Sequence, residues 1–498
     1  MEVDMPKRRY NYNELRIRPV VAGSIIAIVT VIVFFACYLR LSGTYSFYNL
    51  PDAATGGEPM SLSMIAAVCG VSSIVIMLVF GAYLYFCERQ VFVGLKKLLI
   101  VCTLMTLSTA LSALMTFVSG CFTAVMLAVI LVGTLVNKRL AYSIVLVMSS
   151  IVGIMALNTA GSGIHNGSIS IMISLALGGF ATVFALNLKH GRSIPIIAGV
   201  AGGAVSAVAF MCVQAIDYIR FSDMLVPSIW LFASCLLCGI ISTGLMPVFE
   251  NLFDISTDAR LNELMNNNNS LLKRLMIEAP GTYHHSMLVG TLAESAAEAI
   301  GANPILCKAA GYYHDVGKLR SPIHFRENQR DYNIHDDLPP LESAQRIIAH
   351  QKDGVTLLTK HKLPADVIRI AAEHHGDSLV VFFYGKAIQE AGAKKRVDES
   401  EYRYCAPKPS TKESGIIMLA DCCEAAVRSI KQPTQELIEA KVRDVIGNIW
   451  LKQNGALSEA PLTAKDISLI ERCFINALSA QYHERIEYPD LEDVENAK

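Results

Sequence analysis

The chain has 498 residues, 52% of them hydrophobic and 17% charged, with a formal net charge of −1. Its apolar share and mean hydropathy of +0.40 exceed those of an ordinary soluble protein, where roughly 45–50% apolar is usual. Its thirteen cysteines lack the paired spacing of a secreted disulfide framework. The net charge says little about partners, but charges are few in residues 19–250 and concentrated in 251–498. That asymmetry predicts a membrane half followed by a soluble half.

A bilayer crossing needs about 20 apolar residues. Eight stretches qualify as candidates, at about 19–40, 62–86, 98–118, 120–136, 140–158, 168–187, 194–213 and 226–249, the fourth and fifth being short. The first is too long for the apolar core of a signal peptide. Basic residues mark every second loop: Lys7, Arg8, Arg9, Arg16 and Arg18 before the first span, then Arg89, Lys96 and Lys97, then Lys138 and Arg139, then Lys189 and Arg192. Residues 41–61 and 159–167 carry no Lys or Arg, and residues 214–225 carry only Arg220. By the positive-inside rule both termini lie in the cytoplasm, at a cell membrane crossed an even number of times. The spans hold almost no ionisable residue at their centres, which argues against an ion pump or proton-coupled transporter. Cys235 and Cys238 have metal-ligand spacing, but in an apolar stretch they read as packing residues. The loop at 41–61 is too small for a folded sensor domain.

Residues 250–280 follow, as a helical linker. Leu261, Leu264, Met265, Leu271, Leu272 and Leu275 give it an amphipathic pattern, with a polar break at Asn266–Asn269 and a stop at Pro280-Gly281. A connector that transmits a signal and a passive linker both fit. Beyond it the chain is helical by pattern. An extended piece is expected only around LVVFFYG. The acidic stretch 486–498 reads as a disordered tail.

Of twelve histidines, nine lie between residues 284 and 375. His285, His314, Asp315, His350, His374, His375 and Asp421 interrupt apolar helices where packing would prefer apolar side chains. Burying one such group unpaired costs several kcal/mol. Burying seven together makes sense if they converge on metal. Imidazole and carboxylate suit iron, manganese or zinc. Seven ligands exceed one ion's need and suit two, with Asp315 as the bridging carboxylate. His284 is an alternative to its neighbour His285, and His324 is placed to touch substrate. His335-Asp336 reads as solvated surface, and His165, His190, His361 and His483 as surface or loop residues.

The stretches LLKRLMIEAPGTYHHSMLVG, YHDVGKL, RENQ, AHQKDG, EHHGD and PKPSTKESGIIMLADCCEAAVRS resemble the HD-domain phosphohydrolase superfamily, in the longer pattern H…HD…H…HH…D. The chain is most similar to the seven-transmembrane HD-domain hydrolase family, of the PgpH-type cyclic di-AMP phosphodiesterases. That resemblance implies an all-α protein: an eight-helix transmembrane bundle at 19–249, then a cytoplasmic HD phosphohydrolase domain at 281–485. It implies that His285, His314, Asp315 and Asp421 hold one metal and that Asp315, His350, His374 and His375 hold the other, with manganese or iron expected. Typical members carry a large extracellular domain between the first two spans, which residues 41–61 replace here. The Gly-Tyr-Pro signature of the cyclic di-GMP branch is absent after His375, which favours cyclic di-AMP.

In this reading a metal-activated water attacks phosphorus and yields linear pApA. Asp315 is catalytic, and Lys318, taken at i+4 from His314, contacts the phosphate or protonates the leaving group. Asn328 and Gln329 line the nucleotide pocket. The partners are a cyclic dinucleotide and the lipid bilayer, with no nucleic acid, and a homodimer is compatible. The alternatives are an HD hydrolase acting on a dNTP or a guanosine alarmone, and a cyclic dinucleotide receptor without catalysis.

Overall fold

A computed structural model of the protein describes residues 16–45, 62–116, 118–156, 167–188, 191–216, 219–392, 396–451 and 455–482. The acidic tail, His165, His190 and His483 lie outside them. The chain divides into two compact units, at Ala259 and Arg260.

The first unit contains helices α1 (Pro19–Tyr45), α2 (Leu62–Phe86), α3 (Arg89–Val93), α4 (Leu95–Met115), α5 (Val125–Leu135), α6 (Lys138–Met155), α7 (Gly167–Ala185), α8 (Ile194–Ile216) and α9 (Phe221–Phe253). Each of the eight expected spans overlaps a helix. Among the described residues five of them, α4 and α6 to α9, are long and apolar enough to cross a membrane. Helix α5 has 11 residues, about 16 Å at 1.5 Å per residue, against a hydrocarbon core of about 30 Å. It starts five residues later than expected because α4 serines satisfy the preceding loop. Ser108 Oγ donates to the Ala124 carbonyl at 2.6 Å, and the Ala124 amide donates to Ser112 Oγ at 2.9 Å. Small residues let α7 and α8 pack backbone to backbone. A Cβ on Gly202 would stand 1.9 Å from Thr182 Oγ1.

Helix α10 (Asp258–Leu264) runs across the boundary into the second unit. There follow α11 (Ser270–Glu278), α12 (Pro280–Ala299), α13 (Pro304–Tyr313), α14 (Pro340–Lys360), α15 (Ala365–Glu373), α16 (Val381–Ala391), α17 (Lys412–Arg428), α18 (Gln435–Leu451) and α19 (Ala464–Gln481). The Asn269 side chain caps α11, so the polar break is a helix start. Leu261, Leu271, Leu272 and Leu275 are buried in the core of this unit, which makes the second half of the linker part of its fold. Helix α12 packs against α13, α17 and α19. No strand occurs among the described residues. The extended piece expected near residue 380 is a single bridge, Leu379 with Arg403, before α16 begins.

Candidate metal centre

Three helices and two helix ends bring the polar residues together. His285 sits on the buried face of α12, His350 on α14 and Asp421 on α17. His314 and His374 are the C-caps of α13 and α15. Backbone carbonyls in the last turn of a helix lack intrahelical partners. The caps use them: His314 Nδ1 bonds the Gly311 carbonyl at 2.8 Å and His374 Nδ1 that of Ala371 at 2.7 Å. His350 does the same within α14, to Ile347 at 2.6 Å. A carbonyl only accepts, so each Nδ1 carries a proton and each Nε2 is the nitrogen left to face a cation.

These inward nitrogens, with Nε2 of His285, converge on the carboxylates. Asp315 divides its two oxygens. Oδ2 lies 3.3 Å from His314 Nε2 and 3.5 Å from His285 Nε2. Oδ1 lies 3.1 Å from His350 Nε2 and 3.8 Å from His374 Nε2. Asp421 Oδ1 stands 3.0 Å from His285 Nε2, and His375 Nε2 stands 3.2 Å from His350 Nε2. Two quartets result, each with ligand atoms within 4.8 Å of one another: His285, His314, Asp315 and Asp421, and Asp315, His350, His374 and His375.

The arrangement fits divalent cations. His314 Nε2 and Asp315 Oδ1 are buried and have no hydrogen-bond partner, which ordinary folding avoids. An unprotonated imidazole nitrogen facing a carboxylate oxygen at 3–4 Å is repelled by it, and either a proton or a metal cation between them removes the repulsion. The charge balance differs between the quartets. Burial lowers His314, but Asp315 and Asp421 outweigh it and raise its pKa to about 10. His285 is also raised, Asp421 and Glu424 overcoming burial. Burial, then the imidazole of His350, pushes His375 down to about 3, and His374 falls well below its usual value through burial and the neighbouring imidazoles of His375 and His314. Burial disfavours the Asp315 and Asp421 anions, yet Lys318 and His314 around the one, and His285 and His314 around the other, hold both carboxyls well below their usual range.

Lys318 departs from the helical expectation. The chain leaves α13 at Tyr313 and makes a 3₁₀ turn over Val316–Arg320. Gly317 presses on α14, and a Cβ there would lie 1.8 Å from the His350 carbonyl oxygen. In this tighter turn Lys318 reaches Asp315 at i+3. Its amine is 2.7 Å from Asp315 Oδ2 and 2.7 Å from Glu327 Oε1, above the Phe325 ring.

Asn328 and Gln329 do not line the cavity beside the centre. The Asn328 amide bonds Thr282 at the start of α12, accepting from its N–H at 3.2 Å and donating to Oγ1 at 2.9 Å. Gln329 donates to the Ile323 carbonyl at 2.9 Å. Both side chains shape the loop. His284 is exposed, leaving His285 in the cluster. His335 is buried, contrary to the surface reading. Its Nε2 donates to the His324 carbonyl at 2.7 Å and its ring packs on Phe383, because the 330–337 loop folds under α16. His324 accepts from Arg346 at 2.9 Å and stands outside both quartets.

Sequence reasoning missed Glu424, Glu327 and Tyr404. Glu424 is buried and takes the Nδ1 proton of His285 at 2.5 Å, while Arg428 pairs with it. Its signal was present: Asp421, Glu424 and Arg428 recur at i+3 and i+4 on an otherwise apolar helix. Tyr404 stacks on His375 with centroids 4.3 Å apart. It lies in a loop, where no periodicity announces it.

Residues 62–257 match the family described as 7TM receptor with intracellular HD hydrolase, and residues 282–426 match the HD domain. The chain is 38% identical to the cyclic-di-AMP phosphodiesterase PgpH of Bacillus subtilis, over 72% of this chain and 50% of that one. It is 36% identical to PgpH of Listeria monocytogenes, over 72% of this chain and 49% of that one. The chain thus spans about half the length of the curated relatives it matches. A crystal structure of the L. monocytogenes PgpH HD domain in complex with cyclic-di-AMP aligns with 43% identity over 44% of this chain and 99% of that one, at a TM-score of 0.41.

Proposed function

Because the chain belongs to the family of seven-transmembrane receptors with an intracellular HD hydrolase, and is therefore a multi-pass membrane protein, we propose that it is a membrane-anchored cyclic di-AMP phosphodiesterase that releases linear pApA. The observation that carries the reading is the division of Asp315: one oxygen faces each quartet. The substrate rests on the relatives named as cyclic-di-AMP phosphodiesterases.

The residues fit two divalent ions, manganese or iron by ligand type. His285, His314, Asp315 and Asp421 would hold one, and Asp315, His350, His374 and His375 the other. When bound, such ions supply positive charge for a phosphate oxygen and lower the pKa of the attacking water. The chain does the rest. The Nδ1 bonds to Gly311, Ile347, Ala371 and Glu424 hold four imidazoles with Nε2 inward. Two carboxylates keep the Lys318 amine charged at the edge of the cavity. That favours Lys318 as a charge for the phosphate over Lys318 as a proton donor to the leaving oxygen.

The proposal extends to the setting. Eight segments cross the membrane, the short α5 together with the loop before it whose backbone the α4 serines satisfy, both termini and the second unit face the cytoplasm, and residues 281–485 form the catalytic domain. The alternating basic loops support this orientation.

The test is a nucleotide panel offered to the full chain in detergent with manganese, read by chromatography. Cyclic di-AMP should give pApA. If the protein hydrolyses bis(p-nitrophenyl) phosphate but leaves cyclic di-AMP intact, the substrate assignment fails.

A further inference from the structure

A cavity of about 340 Å³ opens beside the first quartet. His285 and Asp421 form its inner end, and α17 continues as one wall through Glu424, Ala425, Arg428 and Ser429. Lys318, Arg326 and Glu327 close the other side. Asp421 to Ser429 is eight residues, about 12 Å along the helix. The space therefore extends well past the metal ligands, and it has a charged lining that hydrolysis of a simple diester does not require.

The charges of this lining are mostly matched. Lys318 pairs with Asp315 and Glu327, Arg428 with Glu424, and His285 with Asp421 and Glu424. Arg326 is different. Among the described residues its guanidinium has no carboxylate partner and makes one long bond, to Gln329 Oε1 at 3.4 Å. Its backbone is nevertheless held in place. The 3₁₀ turn Arg326–Asn328 is tied to α12 by the Asn328–Thr282 bonds and by Thr282 Oγ1 donating to Glu327 at 3.0 Å. Gly281 allows the approach, since a Cβ there would stand 1.9 Å from the Glu327 carbonyl oxygen.

A cyclic dinucleotide carries two phosphodiesters. The quartets can take one, and the other brings a negative charge that must be met elsewhere. We propose that this cavity receives the half of the cyclic dinucleotide that is not being cut, and that Arg326 binds its phosphate. This rests on the phosphodiesterase reading above. A guanidinium matches a phosphate with two parallel N–H donors. The carboxylates lining the cavity, Glu327, Glu424 and Asp421, are already engaged by Lys318, Arg428 and His285, so they do not compete for it. Arg326 then sets affinity for a substrate with two phosphates and contributes nothing specific to one that has a single phosphate.

The experiment uses the full chain in detergent, loaded with manganese, with cyclic di-AMP and bis(p-nitrophenyl) phosphate as two-phosphate and one-phosphate substrates. Arg326→Gln should raise KM for cyclic di-AMP about tenfold relative to KM for the single diester, the loss of one charge-assisted contact. The cyclic di-AMP kcat should change less than KM, the metal content should stay as in wild type, and Arg326→Lys should recover part of the affinity. An unchanged KM ratio overturns the inference and leaves the phosphodiesterase reading standing. Equal losses on both substrates also overturn it, because Arg326 would then act on the metal centre itself. If wild type cleaves only the single diester, the cyclic di-AMP assignment falls and this inference falls with it.

Discussion

Glu424 accepts the Nδ1 proton of His285 at 2.5 Å, deep in the core of the second unit. That single contact decides which nitrogen of His285 faces Asp421 and Asp315. Such outer carboxylates typically matter 10–100-fold for metal affinity. Glu424→Gln keeps an oxygen acceptor and should weaken divalent ion binding about tenfold. Glu424→Ala should weaken it about a hundredfold and also leave Arg428 without its partner. Calorimetric titration of manganese into metal-stripped protein reads both, and affinities equal to wild type would refute the role.

The shared carboxylate predicts an unequal effect of ligand removal. His374 belongs to one quartet and Asp315 to both. His374→Ala should lower bound metal from about two ions per chain to about one. Asp315→Ala should drop it below one and abolish hydrolysis. Elemental analysis of purified variants gives the stoichiometry, and equal losses in the two variants would contradict a bridging Asp315.

The turn after Asp315 depends on a missing side chain. Gly317→Ala would push a methyl to 1.8 Å from the His350 carbonyl and 2.4 Å from the Gly354 amide. Helix α14 and the 3₁₀ turn must then separate. Overpacking of this kind costs about 1–3 kcal/mol, and it should weaken the quartet containing His350 more than the other. Thermal unfolding with metal counting tests it. A variant that melts like wild type and binds two ions would show that the backbone gives way freely.

Far from the centre, Thr463 and Asp466 form a capping box at the start of α19. The Thr463 backbone N–H, and then Lys412, lower the pKa of Asp466. A carboxyl lowered in the fold stabilises above its unfolded value, about 3.9, and that contribution fades as pH falls through the lower folded value. Asp466→Asn should therefore speed amide exchange in α19 at neutral pH, with the difference from wild type shrinking below about pH 4. Thr463→Ala should cost about 1 kcal/mol at both pH values. A pH-independent effect of Asp466→Asn would remove the charge from the explanation.

The sequence by itself determined the helical class, the apolar first half and the identity of the seven clustered polar residues. These are local or compositional properties: apolar periodicity marks a helix wherever it ends up, and a polar residue inside that periodicity stands out. Tertiary structure decided what depends on a neighbour distant in the chain. Lys318 meets Asp315 at i+3 because Gly317 must fit against α14, and nothing within YHDVGKL reports that contact. His335 is buried because a loop folds under α16, although its own surroundings are charged. Asn328 and Gln329 hold the loop while Arg326 and Glu327 face the cavity, a choice of side made by the contact with Thr282. Helix α5 is shorter than its apolar run because two serines on α4 satisfy the backbone before it. The division of Asp315 between two sets of imidazoles is of the same kind, since three helices and two helix ends must pack before its two oxygens face different ways.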